Sequence, residues 1–344
     1  MNTELIERYA GQVAQAYTGA ATTAAIVAGD RLGLYDALAR LGSATPGELA
    51  AATGCHERYL REWAHQQTAA GLLHHHDGRF TLPPEGRAVL ADPASPASMA
   101  GGALLPTGWF QNIDHLTDSF RAGTGIAWDR QPQAVHEGTA RFFESAYRAN
   151  LIGSWLPALD GVEQRLRDGI TVADVGCGFG ASTRLMAEAY PASTFVGYDR
   201  HEPSVRAARS QPLPPGLRFE VAAADAYPAG GYGLICMFDT FHDLSDPLAA
   251  AAHARKALVA DGTLLLVEPA AEDDPAANLA EPMAAFSYAA SLFQCLPTSL
   301  AEPPRYGLGA QAGAEAVREI LLKAGFTDFH IAARTPVNAV YQAR

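Results

Sequence analysis

The sequence predicts a two-part α/β chain, with a small winged-helix-like region of short helices followed by a doubly wound parallel sheet. Three observations carry this reading. The first ~90 residues alternate capped helical stretches and end in a hairpin signal. From about residue 169, apolar strand-like runs alternate with helical stretches, the pattern of a parallel sheet with crossover helices. One of those runs opens directly into the glycine loop Gly176-Cys-Gly178-Phe-Gly180.

Each element follows from local chemistry. An Ala-rich helix is expected from Leu5 to about Ala28, then an amphipathic stretch over Arg31–Arg40. Thr45-Pro-Gly-Glu48 is a capping box with proline at the first helical position, and Gly54 ends that helix. A further helix is expected near Glu57–Ala70. The runs 72–75 and 79–82 flank Asp77-Gly78, a strong two-residue hairpin turn. Residues 99–168 read as helical and aromatic-rich. Buried strands are expected at Ile170–Val175, Thr194–Tyr198, Leu217–Val221, Leu234–Phe238 and Thr263–Val267. Two more, Asp328–Ala333 and Ala339–Gln342, are joined too closely for anything but antiparallel pairing. The expected division is 1–98, 99–168 and 169–344.

Composition narrows the function classes. The chain has 344 residues, 48% hydrophobic, enough for a real core in about two domains. Its net charge of −12 argues against binding built on phosphate contacts. Residues 1–100 hold seven arginines, no lysine and ten acids, a net −3, so the winged region is a poor electrostatic match for DNA. No apolar run approaches a membrane span, and the start of the chain does not read as a signal peptide. Four scattered cysteines without a CxxC pair suit reduced thiols and a cytoplasmic protein. No metal is expected: His74-His75-His76 falls on the wing, where neighbouring side chains point to opposite faces.

The glycine loop fits a nucleotide turn of more than one kind, since Ala181 also completes the dinucleotide pattern GxGxxA. Its surroundings discriminate. Asp174 lies two residues before the first glycine, where a carboxylate suits a cationic ligand and repels a pyrophosphate. Asp199 ends the second strand, in place to accept hydrogen bonds from ribose hydroxyls. Asp225 follows the third strand, in reach of an adenine amino group. After the fourth strand comes Phe238-Asp-Thr-Phe-His242-Asp-Leu-Ser-Asp246-Pro247, with Asp246 and Pro247 opening a helix. His242 thus lies at the carboxyl edge of a central strand, where ligands bind in open α/β sheets. A neutral imidazole there can take a proton from an attacking hydroxyl, and Glu268, ending the fifth strand, can hold the ring in one tautomer.

These residues resemble the class I S-adenosylmethionine (SAM)-dependent methyltransferases over roughly residues 150–344, a family with a Rossmann-like seven-stranded sheet that ends in an antiparallel hairpin. The resemblance implies that Asp174, Gly176, Gly178 and Gly180 hold the methionine part of SAM. It implies Asp199 at the ribose, Asp225 and Ala226 at the adenine, and Phe238 in the same cofactor site. His242-Asp-Leu-Ser-Asp246 is similar to the HDWSD motif of plant-type small-molecule O-methyltransferases, with Leu244 in place of tryptophan and GCGFG in place of their GGG-type loop. The whole pattern is closer to a bacterial winged-helix group with FDxxHDxxDP. That family uses the histidine as catalytic base, with a glutamate in the position of Glu268, and dimerises through the N-terminal domain. The expectation is therefore a homodimeric enzyme that methylates a small molecule, at oxygen by preference, leaving S-adenosylhomocysteine (SAH). Nitrogen or carbon acceptors, a SAM-binding enzyme with other chemistry, a nicotinamide dehydrogenase and a DNA-binding regulator are the alternatives.

Overall fold

A computed structural model describes residues 2–344. The chain forms two compact units, one of residues up to Phe110 with Gln133–Ser145, the other of Gln111–Pro132 with Ala146–Arg344.

The first unit holds helices α1 (Thr3–Arg31), α2 (Leu34–Leu41), α3 (Pro46–Thr53) and α4 (Glu57–Ala69), the hairpin β1 (His74–His76) and β2 (Arg79–Thr81), and α5 (Pro84–Leu90). The capping box forms as expected: Glu48 N donates to Thr45 Oγ1 at 3.2 Å, and Thr45 N donates to Glu48 Oε2 at 2.8 Å. Asp77 and Gly78 both take positive φ, 48° and 74°, which matches the twist of a tight hairpin. The first wing strand starts later than the sequence suggests. Leu72 N and Leu73 N are spent on Gln67 O, finishing α4 instead of opening a ladder. Leu34, Tyr35, Leu38, Leu49, Leu60 and Phe80 fill this unit's core. All three wing histidines are exposed.

Helix α6 (Leu104–Gln111) leads into α7 (Ile113–Ala122), and α8 (Gln133–Asn150) into α9 (Val162–Asp168). The second unit is then built on a seven-stranded sheet. Its strands are β3 (Thr171–Val175), β4 (Thr194–Asp199), β5 (Leu217–Val221), β6 (Tyr232–Phe238), β7 (Leu258–Pro269), β8 (Phe329–Arg334) and β9 (Asn338–Ala343). Helices α10 (Ala181–Ala189), α11 (Glu202–Arg209), α12 (Pro247–Ala257), α13 (Pro275–Ala280), α14 (Ala284–Ala290), α15 (Leu296–Ser299) and α16 (Ala314–Lys323) connect them. The order is β5-β4-β3-β6-β7-β9-β8, parallel except for β9, which runs against both β7 and β8. Strand β7 extends well beyond the expected Thr263–Val267. Its first residue, Leu258, pairs with Tyr232 across an irregular register.

The order of strands reverses between β3 and β6, and such a switch leaves a crevice at the carboxyl edge. Both lead into functional loops: β3 into the glycines, β6 into the segment with His242. The central strands β3, β4, β6 and β9 are nearly all buried, with Val196, Tyr198, Ile235, Met237, Leu264 and Leu266 at the centre of the core. That core fixes the edge from which both loops project.

Candidate active site

Three positive-φ glycines make the first wall, Gly176 at 78°, Gly178 at 52° and Gly180 at 82°. They are needed for different reasons. A Cβ on Gly176 would stand 2.3 Å from Thr240 Cγ2, and one on Gly180 would stand 2.4 Å from Phe219 Cζ. A Cβ on Gly178 would meet nothing within 4 Å. Two glycines therefore let protein pack on protein, and the middle one turns a bare backbone toward open space. Gly176 N and Cys177 N both donate to Tyr198 O, at 2.7 and 3.0 Å, which ties the loop to β4.

Asp199, at the end of β4, completes the brace. Its Oδ2 accepts from Gly178 N and its Oδ1 from His201 N, both at 2.8 Å. Asp174 points inward beneath the loop. Ser182 Oγ and Thr183 Oγ1 donate to its Oδ2 at 2.7 and 2.6 Å. Its Oδ1 is buried with no partner among the described residues. Burial lifts this carboxyl to about 6, against the two hydroxyl donors, and the charge of Asp199 adds to the rise. Asp225 and Ala226 stand exposed on the turn after β5. Phe238 is buried at the end of β6, its ring 5.5 Å from that of Tyr147.

The second wall begins at Asp239, whose φ of 48° is a left-handed bend in a non-glycine residue. It swings the chain off β6 into a short 3₁₀ turn over Phe241–Asp243. Glu268, buried at the end of β7, collects three donors from that turn: Phe241 N at 3.1 Å on Oε1, then His242 N at 3.1 Å and His242 Nδ1 at 2.6 Å on Oε2. The other ring nitrogen, Nε2, faces Asp243 Oδ1 at 3.2 Å. Burial alone would drive the imidazole toward its neutral form, but Glu268 and Asp243 outweigh it and raise its pKa well above 6.5. Asp243 is itself raised, by burial first, with the histidine pulling the other way. The two walls touch through Thr240, whose Oγ1 donates to Gly176 O at 3.3 Å.

Four residues without an assigned site role in the sequence complete this region. Tyr147 OH donates to Asp239 Oδ2 at 3.1 Å, and Asn338 Nδ2 donates to Asp239 Oδ1 at 2.9 Å. Asp239 is held near 8 by burial, with the charge of Glu268 adding to the rise. In the sequence Asp239 stood out only as the first acid of the FDxxHDxxDP pattern, directly after an apolar strand. Cys295, from a one-turn π-helical stretch over Ser291–Cys295, lies against His242 and Asp243. The segment carrying it is fastened to the loop after β6. Ser299 Oγ donates to Leu244 O at 2.8 Å, and Gly309 N donates to His242 O at 3.2 Å.

The sheet thus carries bare backbone and acids at the carboxyl edge of β3 and β4, with a carboxylate-held histidine beside them after β6. Residues 147–330 match the methyltransferase domain family, and residues 20–92 match the Rv2258c-like winged HTH domain. The chain belongs to the methyltransferase-domain family. Two solved structures share its fold over its full length. Human N-acetylserotonin methyltransferase, in complex with SAM, is 17% identical with a TM-score of 0.72, over 100% of this chain and 99% of that one. The mitomycin 7-O-methyltransferase MmcR is 21% identical with a TM-score of 0.71, over 100% of both chains. A trans-aconitate 2-methyltransferase of Sinorhizobium fredii is 37% identical over 103 residues, 30% of this chain and 39% of that protein. The chain thus spans under half the length of the curated relatives it matches. The cofactor that membership implies is SAM. The site fits it: Gly178 leaves room for a ligand against its backbone, and Asp174 keeps a buried, unshared oxygen for a cationic group. Among the described residues no helix is long and apolar enough to cross a membrane.

Proposed function

We propose that this protein is a SAM-dependent methyltransferase that methylates a hydroxyl of a small molecule, with His242 as general base and Glu268 as the group that orients it. The observation that carries the reading is the threefold grip of Glu268 on the Phe241–His242 turn. It fixes Nδ1 as the donor to the carboxylate and leaves Nε2 for proton exchange. Asp174, Asp199, Gly176, Gly178 and Gly180 would hold the cofactor, with Asp225, Ala226 and Phe238 on its nucleoside side.

When bound, SAM supplies a methyl group already activated by its sulfonium. The acceptor hydroxyl would receive that methyl group, leaving SAH, and His242 Nε2 would take the hydroxyl proton. The ring must first be neutral at Nε2. Asp243 Oδ1, 3.2 Å away, is the group in reach to take that proton. Glu268 then stabilises the imidazolium as it forms, which a buried site makes effective. Positioning supplies most of the rest, since the donor needs no further activation.

The same reading places a homodimer contact on α1. Leu5, Tyr9, Val13 and Tyr17 recur every four residues along it and all stand exposed, Tyr9 at 71% and Tyr17 at 72%. A helix with such a stripe buries it against something, and a second copy offers the same stripe in return. The four free thiols suit a reducing, cytoplasmic setting.

The test has two parts. Calorimetry should detect SAH and SAM, and a panel of small hydroxylated, amine and carbon acceptors should be scored by SAH release. His242→Ala should abolish release from hydroxyl acceptors while SAH binding persists. Absence of SAH binding, or turnover unchanged in His242→Ala, overturns the assignment. An amine or carbon acceptor that outperforms every hydroxyl would move the transfer to that atom.

A further inference from the structure

We propose that His242, Asp243 and Cys295 form a binding site for a zinc-type divalent transition metal, with Glu268 as its outer support. One nitrogen, one carboxylate oxygen and one sulfur lie within 4.8 Å of one another. Nε2 and Oδ1 are 3.2 Å apart. Two ligand atoms bonded at about 2.1 Å to one tetrahedral ion stand about 3.4 Å from each other, so this pair is within about 0.2 Å of the required bite. A mixed nitrogen, oxygen and thiolate set suits zinc and its neighbours, whereas magnesium and calcium ask for oxygen alone.

The surroundings point the same way. A metal-bound histidine characteristically donates its other ring N–H to a carboxylate, which fixes the tautomer and strengthens the ligand. His242 does so to Glu268 at 2.6 Å. His242 and Cys295 are both buried, and Asp243 Oδ1 is shielded from solvent. The sulfur comes from a π-helical turn, a local irregularity that often marks function. Charge also balances. With a doubly protonated ring, a neutral thiol and two carboxylates, the group carries one net negative charge. A divalent ion that replaces the Nε2 proton and the thiol proton leaves that total unchanged. Three protein ligands leave a fourth position for water or an acceptor oxygen. Metal and proton then compete for one lone pair on Nε2, so a metal-bound form is closed to the proton transfer set out above. That last consequence rests on the base role of His242; the binding site does not.

Cobalt(II) reads the site without any acceptor. Titration of the purified full chain should give a near-ultraviolet thiolate-to-cobalt charge-transfer band, saturating near one equivalent and erased by zinc. The near-isosteric Cys295→Ser should lose the band, and Asp243→Asn should weaken cobalt binding at least tenfold. Circular dichroism and SAH calorimetry check that both variants are folded. Replacing His74, His75 and His76 with alanine should leave the band intact, because exposed imidazoles give no thiolate transition. No band in the wild type, or a band that survives in Cys295→Ser, overturns the proposal. The band is independent of methyl transfer, so failure here and failure of the enzyme assignment are read separately.

Discussion

Glu268 Oε2 lies 2.6 Å from His242 Nδ1 and 3.1 Å from the same residue's main-chain nitrogen. One oxygen therefore fixes both where the turn sits and which way the ring faces. Glu268→Gln keeps the size but removes the charge, and turnover should fall about 100-fold, the scale of a positioned acid–base group, with SAH affinity little changed. The pH profile adds a second check. The base form is the deprotonated ring, so turnover should rise with pH through a pKa above 6.5. Because Glu268 raises that pKa, its removal should move the rising limb to lower pH. A limb that stays in place would end the base assignment.

Asp239 should leave a mark on stability. Its folded pKa of about 8 lies above the ordinary 3.8, so between those values the folded chain keeps a proton that the unfolded chain has released. Stability then falls as pH rises across that window, by up to about 1.4 kcal/mol per pH unit for one proton. Asp239→Asn cannot titrate and should flatten this slope, measured by urea unfolding from pH 5 to 8. An unchanged slope would mean that the carboxyl is ionised in the folded protein.

The glycines separate packing from binding. Gly176→Ala drives a Cβ into Thr240 at a left-handed φ and should cost about 3 kcal/mol of stability. Gly178→Ala meets no protein atom, so the left-handed conformation alone costs about 1 kcal/mol. Its loss should show in binding, with SAH affinity down at least tenfold by calorimetry. Equal SAH affinity in Gly178→Ala would remove that backbone from the cofactor site.

The stripe on α1 predicts an oligomer. Replacing both Tyr9 and Tyr17 with glutamate should convert a dimer to a monomer in light scattering, with the helical signal retained. A wild-type chain that is monomeric at micromolar concentration would dismiss the contact.

Much of this was legible in the sequence because it rests on short-range rules. The capping box at Thr45 and Glu48, the Asp77-Gly78 turn and the cap at Asp246 need only their neighbours, and each formed as expected. The pairing of His242 with Glu268 was legible as well, since His242 closely follows β6 and Glu268 lies at the end of the adjacent parallel strand β7. What stayed hidden was contributed from a distance. Asn338 lies 99 residues from Asp239, and Cys295 is carried in by a segment without strand alternation or motif. The glycine loop shows the same limit: three identical residues have two different jobs, and only their neighbours in space distinguish them.

Asn338 opens β9, yet its amide holds Asp239 and reaches Glu268 O at 3.4 Å. Every other strand of the sheet is synthesised before it. A nascent chain can therefore stack its parallel strands and still lack the clamp that sets the bend at Asp239. The bend at Asp239 is thus held by the sheet's seventh strand in chain order, which lies between β7 and β8.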